Sequence, residues 1–86
     1  MTTFDVTGVL VDEINYIGGE GTGWELQTDD LGNIEVDVEQ VMAQALKFRH
    51  QFVTIIGHYT TREYIERGST EVLVAEQIRV ASGRQK

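Results

Sequence analysis

Eighty-six residues with 14 acidic and 7 basic side chains, a formal net charge of -7 and 41% hydrophobic content describe one small acidic globular domain. That charge repels nucleic acid and anionic membrane as bulk partners, and the absence of cysteine excludes disulfides, thiolate zinc sites, iron–sulfur clusters and a cysteine nucleophile. A cysteine-free chain fits a reducing cytoplasm, and Met1, Thr2, Thr3, Phe4 and Asp5 lack the basic segment and apolar run of a signal peptide. No stretch nears the roughly 20 apolar residues of a spanning helix, so a soluble cytoplasmic chain without membrane contact is expected.

Residues 4–14 are rich in Val, Leu and Ile, with Phe4 and Val6 alternating with Asp5 and Thr7 before Val9, Leu10 and Val11 run together. Gly8 stands where the pattern changes, which predicts a long strand that bends there and serves two parts of a sheet. Residues 15–23 hold four glycines and read as a flexible loop. A strand alternating at Trp24, Leu26 and Thr28 follows, then a hairpin turn at Asp29, Asp30, Leu31, Gly32 and Asn33. The next strand places Ile34, Val36 and Val38 on one side and Glu35 and Asp37 on the other.

At Asp37 the period becomes helical: with Asp37 as N-cap and Gln40 three residues on, Val38, Val41, Met42, Ala45, Leu46 and Phe48 predict about three turns of helix ending near His50. Residues 51–58 return to β-branched composition, and residues 68–80 contain a final apolar strand. Between them, residues 59–67 read as a polar connection with two tyrosines, and residues 82–86 as a polar tail behind a single domain over residues 1–81. The fold class is mainly β with one helix: five strands in the order β-β-β-α-β-β.

This pattern resembles a minimal OB-fold barrel over nearly the whole chain. The coiled first strand, glycine-rich first loop, helix over residues 38–50 and connection over residues 59–68 carry the resemblance. It implies a binding surface on the second and third strands with the flanking loops. The outward residues there are Glu25, Gln27, Asp29, Glu35 and Asp37, an acidic face unlike the Lys, Arg and stacking aromatics of nucleic-acid binders.

Residues 1–57 hold two basic and ten acidic side chains, residues 58–86 five basic and four acidic. Tyr59, Arg62, Tyr64, Arg67 and Arg79, joined by Tyr16 from the first loop, are therefore the candidate basic and aromatic cluster for single-stranded nucleic acid. The competing reading is a solvated loop with local ion pairs from these arginines to Glu63 and Glu66.

Gly18 to Gly23 lacks the Lys-Ser/Thr pair of a phosphate loop and precedes a strand. His50 and His58 have no carboxylate partner close in sequence, and Ser69 near His58 has no elbow motif. No catalytic residue, metal or cofactor is assigned. The expectation is a noncatalytic acidic binding module, with a protein partner favoured over nucleic acid. Its extreme form is a polyanion mimic occupying another protein's nucleic-acid site. The alternative is weak oligonucleotide binding through the last connection, and self-association through an exposed strand edge is a further expectation.

Overall fold

A computed structural model of the chain describes residues 2–81, so the tail expected over residues 82–86 lies outside the described residues. The elements are β1 (Phe4–Val11), β2 (Glu25–Gln27), β3 (Asn33–Asp37), α1 (Met42–Lys47), β4 (Phe52–Tyr64) and β5 (Gly68–Val80). Single 3₁₀ turns stand at Ile17–Gly19 and Glu39–Val41. The strands form one mixed sheet closing in a ring, β1-β2-β3-β5-β4 and back to β1, antiparallel except where β3 runs parallel to β5.

The bend expected in the first strand is present. Residues Phe4 to Val9 pair with β4, residues Val9 to Val11 with β2, and the exchange falls one residue after Gly8. A Cβ at Gly8 would overlap the Gln27 carbonyl, so only glycine lets β1 pass this close to β2. The strand ends at Val11, three residues before the expected limit.

Inward-facing residues from every strand fill the ring: Leu10, Leu26, Val36, Ile55 and Leu73 are fully buried, each contributing about 1.5–3 kcal/mol of transfer free energy. Trp24 is buried with them, as its alternation with Leu26 predicts.

The helix is shorter than its apolar spacing predicts. Val38 is buried in the core with φ -109 and ψ 17, and Val41 also departs from helical angles, so α1 begins only at Met42. Burying Val38 as a continuation of β3 overrides the helical period. Asp37 is not the N-cap expected: that position before the 3₁₀ turn is Val38, and the Asp37 Oδ1 instead accepts the Glu39 N–H two residues on at 2.9 Å. His50, at φ 64, stands three residues beyond the end of α1. Ala45 is the residue through which α1 enters the core, while Met42 and Leu46 remain exposed.

The largest departure concerns the expected connection over residues 59–67. β4 and β5 form a 13-residue by 13-residue hairpin whose pairing runs out to Tyr64 and Gly68, leaving only residues 65–67 as a turn. β-branched Thr60 and Thr61 sustain the strand through polar residues because the partner strand supplies both cross-strand contacts and hydrogen bonds. Pairing shifts from Ile56 with Gln77 to Gly57 with Ala75, so Glu76 is the extra residue of a bulge. Each strand has two neighbours in the ring, so strand stretches paired on one side only are partial, among them residues 4–8 of β1 and the outer part of the β4–β5 hairpin.

Candidate functional site

Alternation along β3 sends Ile34 and Val36 toward the core and Glu35 and Asp37 to the outer face. The parallel pairing of β3 with β5, and the antiparallel pairing of β5 with β4, carry residues of the long hairpin beside these acids. Arg62 of β4 thus reaches Asp37, and its guanidinium is hydrogen-bonded to the Asp37 carboxylate. Arg67, in the turn, donates from Nη2 to Glu35 Oε1 at 2.6 Å. Glu35 Oε2 also accepts the Tyr64 hydroxyl at 3.2 Å and the Thr22 N–H at 2.8 Å. The residue is only 6% exposed, so a carboxylate assigned by alternation to the surface is a buried charge compensated by three donors.

The first loop closes over this pair. The Arg67 guanidinium carbon lies 4.1 Å from the Tyr16 ring centroid and 4.8 Å from that of Tyr64, held between two aromatic faces. Tyr16 donates its hydroxyl to the Trp24 carbonyl at 3.0 Å. Glu20 accepts the backbone N–H groups of Ile65 and Glu66 at 2.9 Å each and of Arg67 at 3.3 Å, and its own carbonyl accepts Arg67 Nη1 at 3.1 Å. The glycines flanking Glu20 make this fit: a Cβ at Gly18 would meet the Glu66 side chain, and one at Gly21 would overlap the Tyr16 ring. A glycine run with one central carboxylate is therefore a clasp on the β4–β5 turn. The carboxylate inside that run was its one sequence signal, and residue chemistry alone named no partner for it.

The electrostatics follow from these contacts. Burial, then Glu35 and Glu25, push the Tyr16 hydroxyl up to about 12. Burial raises the Asp37 carboxyl, but the hydrogen bonds from Arg62 and from the Glu39 N–H outweigh it and hold it below its ordinary value. The Arg67 and Arg62 guanidinium groups are held more firmly protonated, chiefly by hydrogen bonds to Glu35 and Asp37.

Of the six candidate basic and aromatic residues, Tyr16, Arg62, Tyr64 and Arg67 come together. Tyr59 packs against Phe4, with ring centroids 5.2 Å apart, and borders a cavity with Tyr16 and Arg67 without joining their contacts, while Arg79 lies away from them with Asp5 at 4.0 Å. The local pairs expected to Glu63 and Glu66 are replaced by long-range pairs to Glu35 and Asp37. Of the acidic face, Glu35 and Asp37 are consumed in the network, Glu25 sits across the strand from Glu35, and Gln27 and Asp29 lie exposed toward the β2–β3 turn. No family model matches this chain, and neither does any curated protein or solved structure.

Two cavities flank the network. One, of about 350 Å³, has Trp24, Val38 and Met42 on its apolar side and Asp37, Arg62 and Tyr64 on the other. The second, of about 400 Å³, lies among Tyr16, Glu25, Ile34, Glu35, Tyr59 and Glu71. Ser69 gives its hydroxyl to Glu63, and His58 bonds Glu76 at 2.6 Å, so the two do not form a nucleophile–base pair. Among the described residues no three metal-binding side chains converge, and no helix is long and apolar enough to cross a membrane.

Proposed function

We propose that this protein is a noncatalytic binding module built on an OB-fold barrel, and that its partner is a protein presenting positive charge. The ring order β1-β2-β3-β5-β4, with the helix between the third and fourth strands, supports the OB-fold reading. The observation that carries the choice of partner is the internal use of Arg62 and Arg67. Both guanidinium groups are paired with Asp37 and Glu35, which offsets the positive charge they would present to a phosphate. Tyr16 and Tyr64 in turn stack on Arg67, the place a nucleobase would take.

A polyanion mimic needs an unbroken row of charge. Here the row is interrupted at Glu35 and Asp37, which favours recognition by a limited patch including Glu25 and Glu71 over mimicry of a phosphate backbone.

An amide chemical-shift titration tests the reading. A mixed-sequence single-stranded oligonucleotide is expected to leave the spectrum unchanged at low salt, while a lysine- and arginine-rich peptide shifts amides of the β2–β3 region and fades as salt rises. Oligonucleotide-induced shifts at Arg62, Tyr64 and Arg67 that weaken steeply with salt would reverse the assignment.

A further inference from the structure

We infer that the cavity between β3, the first loop and the long hairpin is a receptor for an arginine side chain of a partner protein. This inference rests on the proposed function and names the chemistry of that contact. The cavity is lined by three carboxylate residues, Glu25, Glu35 and Glu71, and by one arginine, Arg67, which is paired with Glu35. Glu35 is committed to Arg67, whereas Glu25 and Glu71 make no ion pair among the described residues. Ile34 and Leu31 supply apolar wall for the methylene stem of a long side chain, and Tyr59 supplies an aromatic surface beside Glu71.

The chemistry has a working instance in the same cavity. Arg67 is held there by a carboxylate and two tyrosine rings, and Glu71 and Tyr59 supply a second carboxylate and a further ring to the same cavity lining. A second guanidinium would enter a site with surplus negative charge and an aromatic wall, and its planar fork suits carboxylates better than a compact ammonium does. About 400 Å³ accommodates such a side chain with its flanking backbone at the mouth.

The test is calorimetric titration with a short capped peptide containing spaced arginines, its lysine counterpart and free spermidine. The protein is taken as wild type and as Glu71→Gln, Tyr59→Leu and Glu39→Gln variants. Glu39 borders the other cavity and serves as the charge-matched control. The arginine peptide is expected to bind the wild type and Glu39→Gln alike, and Glu71→Gln and Tyr59→Leu about three- to fivefold more weakly. Glu71 is exposed, so its variant tests the site independently of any packing change from Tyr59.

Binding that is indifferent to Glu71→Gln and Tyr59→Leu overturns this site while leaving the wider proposal standing. Equal loss in Glu39→Gln, or equal affinity for spermidine or the lysine peptide, reduces the effect to net charge and overturns it as well. No binding of any cation at low salt overturns the proposed function itself.

Discussion

Glu35 shows how far a residue's surroundings can depart from its place in a pattern. Strand alternation puts it outward with Asp37, yet the hairpin and first loop bury it against Arg67, Tyr64 and Thr22. Breaking such a pair from one side leaves an uncompensated charge. Glu35→Gln is therefore expected to cost about 3–5 kcal/mol, read as a lower urea midpoint at unchanged slope. Adding Arg67→Met should recover part of the loss, because the stranded guanidinium is then gone.

Tyr16 carries a separate signature. Its hydroxyl ionises at 10.0 when unperturbed but at about 12 in the fold, so folding favours the neutral form. The stability this group holds below pH 10 is lost as pH climbs toward 12, and a spectrophotometric tyrosine titration should show Tyr16 ionising late, with only part of the shift removed in Glu35→Gln protein because burial is the larger cause. Asp37 has the opposite sign: its lowered carboxyl stabilises the fold above its ordinary value of 3.8, and that contribution disappears as pH falls below it.

At the scale of elements, the β4–β5 hairpin decides where the site lies. Its two strands run in register past the ring, and their turn is fastened by Glu20. Glu20→Ala removes the acceptor for three backbone N–H groups. The expected result is a loss of about 1–3 kcal/mol with faster amide hydrogen exchange confined to residues 65–67 and the first loop. Gly57 is the other fixed point, since a Cβ there would overlap the Val74 carbonyl. Gly57→Ala should force β4 from β5 near the bulge at a cost of at least about 1–3 kcal/mol, visible as a lowered thermal midpoint. The helix contributes far less, entering the core through Ala45 alone.

For the molecule as a whole, a net charge of -7 on so small a ring makes self-repulsion a global term, whereas the Arg67–Glu35 pair is too buried to be screened strongly. Raising ionic strength from about 10 mM to about 150 mM is expected to raise the thermal midpoint, and a fall would mean that exposed ion pairs outweigh the repulsion. Exposed Ile65, at the hairpin tip, and Ile17, in the loop beneath it, add apolar area at the same end of the molecule as the acidic cavity. A partner carrying both cations and apolar groups would be complementary to that end.

The sequence alone determined that five strands form and where each lies in the chain, with the inward residues Leu10, Trp24, Leu26 and Val36, the bend beside Gly8 and the β2–β3 turn, because each follows from a local period or from the steric freedom of one residue type. It misjudged the helix start, since burying Val38 outweighs the periodicity that includes it. It also took residues 59–67 for a loop, because polar residues form a strand only when a partner strand lies alongside. Tyr16, Arg62, Tyr64 and Arg67 were legible as a group by composition, and Glu35 and Asp37 as an acidic row. Only the tertiary structure decided that these two groups neutralise each other, since contacts between residues 32 and 25 positions apart depend on ring closure and strand register rather than on neighbouring chemistry.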